Sequence, residues 1–260
     1  KYYKRYILLT LLTVYIFNFV DRQIMALLME PIKQDLDLSD TQLGFMSGIA
    51  FAIFYTTLGI PIARLVDRSN RVNIISLAIA VWSGMTVLSG MAANFWQLVI
   101  ARVGVGIGEA GCTPPAHSLI SDYFPKEERS RAIAIYMMGV PLGILVGFLV
   151  GGWINQLYGW RMAFIALGIP GLIMAVIVKL TVREPLRGQQ DSASKESQQQ
   201  VSLIQTFAYL WCKPSFRYLV TAMALTAFVG SGVGQWQAAF FIRNHGMNTG
   251  ELGAWLSLMG

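Results

Sequence analysis

Residues 102–111 of the chain read RVGVGIGEAG, and the interpretation of this segment decides the class of fold. The segment contains a Gly-x-Gly-x-x-Gly spacing that ends at Gly111. A dinucleotide-binding turn with this spacing follows a strand, opens a helix and has an acidic residue about 20 positions later. Here the glycines lie inside an apolar run, and Asp122, the next acidic residue, is only 11 positions past Gly111. Gly104 and Gly108 instead have the four-residue spacing that lets membrane helices approach closely, so the segment predicts a membrane helix.

The composition of the whole chain also favours a membrane protein. Of its 260 residues, 55% are hydrophobic and only 13% are charged, with a mean hydropathy of +0.52. Soluble globular proteins carry about 25% charged residues. The two cysteines, Cys112 and Cys212, have neither a metal-site spacing nor a disulfide pattern, and the two histidines, His117 and His245, complete no catalytic set. The sequence therefore predicts no enzyme, no cofactor and no metal site.

Apolar segments long enough to cross a membrane recur along the chain. A membrane-spanning helix needs about 20 mostly apolar residues. We expect spans at residues 6–30, 42–63, 72–93, 96–121, 131–154, 161–182 and 216–242, and the start of an eighth span near residue 250. The first span is too long for a signal peptide and is not followed by a small-residue cleavage site.

A polar stretch separates the sixth span from the seventh. Residues 183–201 are rich in glutamine and serine and lack apolar periodicity, which is typical of a linker. The sequence therefore predicts an all-α membrane protein with a six-helix bundle at residues 1–182. A cytoplasmic linker at 183–201 and the start of a second bundle at 202–260 follow it.

The distribution of basic residues predicts the orientation in the membrane. Fifteen of the 20 lysines and arginines lie in the N-terminal segment, in the second, fourth and sixth loops, and just before the seventh span. Only Lys33, Arg161 and Arg243 lie in the intervening loops. Because cytoplasmic loops collect lysine and arginine, we expect a cytoplasmic N-terminus. We therefore expect the net charge of +6 to interact with the membrane surface, and we expect no nucleic-acid partner.

Four charged residues fall inside the predicted spans. They are two cations, Arg22 and Arg102, and two anions, Asp21 and Glu109. A charge at mid-membrane costs at least about 3 kcal/mol, so we expect mutual pairing around a water-filled cavity. Arg102 and Glu109, seven residues apart, share one face of the fourth span, and Thr113 continues that face. Asp21 and Arg22 point about 100° apart, so one faces the cavity while the other lies at a helix–helix contact.

The loop after the second span carries a family pattern. Residues 63–72, ARLVDRSNRV, resemble the sequence G-x-x-x-D-R-x-G-R-[RK] between helices 2 and 3 of the major facilitator superfamily. Asn70 replaces a glycine, a mild change because asparagine tolerates a left-handed turn, while Val72 replaces a basic residue. The resemblance implies a cytoplasmic gate built from Asp67, Arg68, Asn70, Arg71 and Asp122.

Three further segments narrow the resemblance to the spinster family. They are NFVDR at residues 18–22, DRSNR at 67–71, and GIGEA at 106–110 with the VPLG that follows at 140–143. Some organic-anion symporters of the same superfamily share parts of these patterns and remain an alternative. Residues 143–152 resemble the helix 5 pattern G-x-x-x-G-P-x-x-G-G of the superfamily, but Phe148 stands in place of the proline that is associated with antiporters, which argues against antiport.

The resemblance implies two six-helix bundles with a substrate site between them and alternating access to it. Spinster relatives move lysophospholipids, sphingosine phosphates or similar amphipathic lipids, and bacterial members are similar to proton-coupled carriers. We therefore expect a lipid substrate, protons and membrane lipids as partners, a monomer at full length, and a bacterial cytoplasmic membrane. An organic-anion/proton symporter and a channel are the alternatives.

The buried charges receive roles in this mechanism. Asp21 is the expected proton carrier, because burial in a partly dry cavity favours the protonated carboxyl, and Arg102 is its expected partner. Glu109 contacts the substrate head group or takes the proton in turn. Arg22 binds an anionic phosphate or braces the first span, and Arg102 and Thr113 complete the expected substrate site.

Overall fold

The computed structural model describes residues 2–186 and 203–259, and every regular element in these ranges is helical. In chain order the elements are α1 (Tyr2–Leu36), α2 (Asp40–Gly44), a π-helical turn (Phe45–Ile49), α3 (Ala50–Arg68), α4 (Arg71–Gly90), α5 (Phe95–Ala110), α6 (Thr113–Tyr123), α7 (Lys126–Met137), α8 (Gly139–Thr181), α9 (Leu203–Trp211), α10 (Pro214–His245) and α11 (Thr249–Met259). The predicted all-α class is confirmed for these ranges.

All eight predicted spans coincide with helix, although most helix ends lie beyond the predicted boundaries. The first span is α1, the second runs from α2 through α3, the third is α4, and the fourth combines α5 and α6. Helices α7 and α8 hold the fifth and sixth spans, α10 is the seventh, and α11 begins the eighth. Within the described ranges, five continuous helical stretches are each long and apolar enough to cross a membrane. The fourth span is absent from those five because its halves have only 16 and 11 residues.

Two local features interrupt the longest apolar runs. The fourth span breaks at Gly111 and Cys112, and a proline in the first turn of α6 follows, where its missing N–H is tolerated. Pro114 and Pro115 are the second and third residues of α6. Between the fifth and sixth spans, Gly159 has φ +83°, a left-handed conformation that glycine adopts without steric cost.

The glycines of residues 102–111 bring α5 against α4. A Cβ atom added at Gly108 would lie 2.6 Å from the backbone nitrogen of Trp82, and one at Gly104 would meet the side chain of Met85. The predicted close approach of a neighbouring helix is confirmed. Because these glycines lie within a helix and touch another helix, they do not form a phosphate-binding turn.

The ends of the first six spans form two faces. On one face, Tyr3 donates a hydrogen bond to the carbonyl of Thr181 at 3.0 Å, and Tyr123 donates one to the carbonyl of Arg183. These contacts join the start of the first span to the ends of the fourth and sixth. We call this side the basic face, because the loops rich in lysine and arginine lie there.

We call the other side the opposite face. There Arg161, at the start of the sixth span, donates to a carboxylate oxygen of Asp35 at 2.6 Å and to the carbonyl of Ala92 at 3.3 Å. These contacts tie together the ends of the first and third spans and the turn at Gly159. On both faces of the six-helix bundle, short polar contacts thus join the ends of spans that are distant in the sequence.

The seventh and eighth spans pack on the first bundle. They share with it a small apolar cluster of Leu27, Phe148, Ala238, Leu252 and Leu256. Most of the predicted linker at 183–201 lies outside the described residues. The domain boundaries at 182 and 202 therefore stay predictions.

Candidate functional site

The first intramembrane ion pair joins the first span to the fourth. Arg102 donates through one terminal nitrogen to a carboxylate oxygen of Asp21 at 3.0 Å. The hydroxyl of Thr86, in α4, donates to the other oxygen of Asp21. The side chains of Asp21 and Arg102 are 5% and 3% exposed, so the pair is desolvated. The sequence predicted this pairing but gave no reason to include Thr86.

The second intramembrane pair lies beside it. Arg22 donates through Nε to a carboxylate oxygen of Glu109 at 2.6 Å, and the Glu109 side chain is fully buried. The Arg22 guanidinium carbon lies 4.9 to 5.3 Å from the ring centroids of Phe19, Phe51 and Tyr55. Aromatic faces attract a cation at this distance. Arg22 is therefore held by one carboxylate and three rings.

Helix geometry explains why the two pairs do not exchange partners. Asp21 and Arg22 are neighbours and point in different directions, whereas Arg102 and Glu109 lie two turns apart on the fourth span. Asp21 is directed to the contact between helices and Arg22 to the cavity. The prediction that these two residues divide in this way is confirmed, and the structure decides which residue takes which place.

A cavity of about 930 Å³ lies between the first bundle and the seventh span. Its wall on the first bundle includes Phe19, Arg22, Gln23, Ser47, Phe51 and Arg102. The facing wall consists of Ala224 and residues 227–236 of α10, which contribute small, aromatic and uncharged polar side chains. The two walls therefore differ in charge: the first carries two arginines, and the α10 residues that line the cavity are all uncharged.

The predicted site residues are not all at this cavity. Arg22 and Arg102 line it, whereas Asp21 lines a separate space of about 10 Å³ between the helices. Glu109 lies behind Arg22 and would reach a substrate only if Arg22 moved. Thr113 starts α6 just after the break in the fourth span and does not line the cavity. Contact of Glu109 and Thr113 with substrate stays a prediction.

The π-helical turn of the second span supplies a polar group that the sequence analysis missed. Ser47 lines the cavity, and its hydroxyl oxygen is buried without a hydrogen-bond partner among the described residues. Turns of this kind occur frequently at functional sites. Serine inside an apolar segment is common, so the sequence offered no signal that distinguishes Ser47.

The predicted gate on the basic face is centred on Arg71. Its side chain is buried and donates to Glu184 at 2.6 Å, to Asp122 at 2.5 Å and to Ser118 at 2.8 Å. The contact between Arg71 and Asp122 agrees with the expectation from the family pattern. Glu184 is an addition, since the sequence analysis gave it no part in the gate.

Two other gate residues need comment. Asn70 was expected to replace glycine in a left-handed turn, and this is wrong because its φ is −66°. Its side chain instead caps α4, accepting a hydrogen bond from the backbone nitrogen of Asn73 at 2.9 Å. The side chains of Asp67 and Arg68 are outside the described part of the structure, so their roles stay predictions.

No metal centre accompanies these groups in the described ranges 2–186 and 203–259. No three histidine, cysteine, aspartate or glutamate side chains there are placed to hold an ion together. Cys112 is buried and unpaired, and His117 packs edge-on against Tyr136 at 5.4 Å between ring centroids.

Comparison with known proteins adds a family context. Residues 11–260 match the Major Facilitator Superfamily. The structure resembles that of a bacterial homologue of the human lysosomal transporter spinster, in an inward-facing and unoccupied conformation, with a TM-score of 0.90 and 40% identity. That match covers 98% of this chain and 59% of the other.

Curated relatives are similar over the same region. An MFS-type efflux pump of Mycolicibacterium smegmatis is 36% identical over 91% of this chain and 54% of its own length. Protein spinster homolog 1 of Xenopus laevis is 28% identical over 93% of this chain and 47% of its own length. The chain thus spans about half the length of these relatives.

Proposed function

This chain belongs to the major facilitator superfamily, and from that premise we propose that the protein is a proton-coupled secondary active transporter of amphipathic lipids. It works by alternating access to the cavity between two bundles. The substrate class is a lysophospholipid or a sphingosine-phosphate-like lipid. The similarity to spinster proteins supports a lipid as the substrate. The cavity, with arginines on one wall and uncharged residues on the other, supports an amphipathic substrate in general.

The observation that carries the proposal is the position of Arg22. It is the cation at the cavity wall whose side chain is 30% exposed, and its one carboxylate partner, Glu109, lies behind it. A phosphate or carboxylate head group entering the cavity meets a guanidinium that still has free donors. The acyl or alkyl chain of the substrate lies along residues 224–236 of the seventh span.

Proton coupling follows from the cost of an unpaired buried carboxylate. When an anionic head group binds Arg22, it competes with Glu109 for the same cation. Glu109 is fully buried, so losing its partner leaves a desolvated charge that is neutralised by taking up a proton. The pair of Asp21 and Arg102 responds in the same way when the helices that carry them part. Substrate binding and protonation are thereby linked.

The orientation and the gate belong to the same proposal. The basic face is cytoplasmic, because lysine and arginine collect there, and the membrane is the bacterial cytoplasmic membrane. We assign the cluster around Arg71, together with Asp67 and Arg68, to the gate on that face. The protein is a monomer at full length and has no nucleic-acid partner.

Uptake into proteoliposomes under an imposed pH gradient tests the proposal. With the full-length protein and lysophosphatidylethanolamine as the probe, we expect saturable uptake that collapses when the gradient is dissipated. Asp21→Asn and Glu109→Gln are expected to lose the gradient-driven part of uptake. The matched control is Asp35→Asn, which removes a carboxylate whose partner, Arg161, lies on the opposite face. Full gradient-driven uptake in both site variants would refute the proton assignment.

The same assay separates the alternatives. Competition by a short organic anion such as gluconate, with no effect of the lysolipid, would favour the organic-anion symporter. Flux that does not saturate would indicate a channel. Gln23 and Ser47, beside Arg22 on the cavity wall, are the polar groups that would hold a short anion in the first of these cases.

A further inference from the structure

Arg243 connects the two bundles on the opposite face. Its Nε donates to Glu30 at 2.6 Å, and its two terminal nitrogens donate to the two oxygens of Asp40 at 3.0 and 2.7 Å. Lys33 also donates to Asp40, at 2.8 Å. Glu30 and Lys33 belong to the first span and Asp40 begins the second, whereas Arg243 ends the seventh. We call these four residues the ion cluster.

The ion cluster is joined to the cavity through Trp236. This residue lies seven positions before Arg243 on α10, and its ring is 5.8 Å from the Arg243 guanidinium. Trp236 also lines the cavity. A Cβ atom added at Gly44, beside the π-helical turn, would lie 3.6 Å from the Trp236 ring. Trp236 therefore lies between the cavity and the ion cluster.

A second contact between the bundles lies on the same face. Gly152 of the fifth span and Gly253 of the eighth approach so closely that a Cβ atom on either would overlap a backbone oxygen of the other helix. Asn155 donates to the hydroxyl of Thr249 at 2.9 Å beside them. Small residues permit this kind of backbone contact between membrane helices.

Burial along the seventh span shows where the bundles meet. Residues 217–234 of α10 are exposed, burial increases from Gln235, and Ala238 and Ala239 are buried. The contacts are thus concentrated near the opposite face, at the level of the ion cluster. Within this exposed stretch, Ala224 and residues 227–234 line the cavity.

We infer that the ion cluster is the gate on the opposite face, which keeps the bundles together there and opens when Arg243 leaves Glu30 and Asp40. The inference rests on the proposed alternating access. The Arg243 and Asp40 side chains are 31% and 50% exposed, so water solvates them once they separate. A pair near water is broken at lower cost than one in a dry interior. The ion cluster therefore suits a contact that breaks and reforms in each cycle.

Thiol labelling of the full-length protein tests this gate. The reporter is Ala52→Cys at the cavity wall, on a background with other cysteines changed to serine. A membrane-impermeant methanethiosulfonate is added from the opposite face, or from the basic face in inverted vesicles. Arg243→Ala is compared with Arg161→Ala, which breaks an ion pair on the same face but within the first bundle. Asp40→Asn is a second, milder variant of the ion cluster.

We expect Arg243→Ala to speed labelling from the opposite face about tenfold over the parent, because charge-assisted hydrogen bonds between the bundles are lost. Asp40→Asn is expected to increase the rate of labelling from the opposite face as well, and Arg161→Ala is expected to leave this rate unchanged. If the parent is labelled from both faces and Arg243→Ala has no effect beyond that of Arg161→Ala, the gate is refuted and alternating access stands. If every variant is labelled from the basic face alone, both the gate at the ion cluster and alternating access are refuted.

Discussion

Arg22 is the residue on which the proposed chemistry depends most. It is the one member of the two intramembrane pairs that is both substantially exposed to the cavity and held by aromatic rings. A guanidinium is planar and offers several donors in a fixed arrangement, whereas an ammonium is a compact point charge. The ring contacts and the simultaneous bond to Glu109 therefore need arginine at this position.

Replacing Arg22 with lysine tests this requirement. We expect Arg22→Lys to raise the KM for uptake of the lysolipid about tenfold, since the cation–π and multiple-donor contacts are worth about 1–2 kcal/mol. The maximal rate should change less. Arg5→Lys, an exposed arginine near the N-terminus, is the matched control. An unchanged KM in Arg22→Lys would contradict head-group binding by this residue.

Among the elements, the fourth span shows how local sequence sets both packing and site geometry. Its glycines allow α5 to lie against α4, and this contact fixes the positions of Arg102 and Glu109 relative to the first span. The break at Gly111 and Cys112 then turns α6 toward the basic face, where Asp122 reaches Arg71. The fourth span thus carries residues of both the candidate site and the predicted gate.

The packing role of Gly108 leads to a stability prediction. Gly108→Ala is expected to destabilise the protein by about 1–3 kcal/mol, because the added methyl group meets the backbone of Trp82. Gly84→Ala, in α4, is the control, since its nearest neighbour is a leucine methyl at 3.9 Å. Thermal unfolding in detergent measures both. A melting temperature for Gly108→Ala equal to that of Gly84→Ala would show that α5 and α4 can separate at no cost.

On the scale of the whole molecule, ion pairs lie at three levels between the basic face and the opposite face. The Arg71 cluster lies at the basic face, the two intramembrane pairs lie beside the cavity, and the ion cluster of Arg243 lies at the opposite face. Only the last of these joins the two bundles in the described residues. This arrangement is what a carrier needs if one face closes while the other opens.

The Arg71 cluster gives a prediction at this scale. Arg71→Met leaves Asp122 and Glu184 without their shared cation, which should destabilise the full-length protein by about 3–5 kcal/mol. Arg131→Met, an exposed arginine of α7 on the same face, should have little effect. Thermal unfolding and hydrogen exchange at the start of α4 measure the difference. Equal melting temperatures for the two variants would mean that Arg71 does not hold the third, fourth and sixth spans together.

The sequence by itself determined the helical spans, the family and the pairing of Asp21 with Arg102. Apolar length and the cost of buried charge constrain these features strongly, and the predicted resemblance to the spinster family is confirmed. A sequence pattern also placed Arg71 beside Asp122. These features depend on spacing within one helix, or on a family pattern in which both partners can be recognised.

Only the tertiary structure decided the remaining contacts. Thr86 beside Asp21, Glu184 beside Arg71, and Arg243 between Glu30 and Asp40 each depend on how separate helices are rotated and shifted against one another. Asn70 shows the same limit locally, since it caps α4 where a left-handed turn was expected. Helix periodicity fixes which residues share a face of one helix, but the packing of several helices fixes which faces meet.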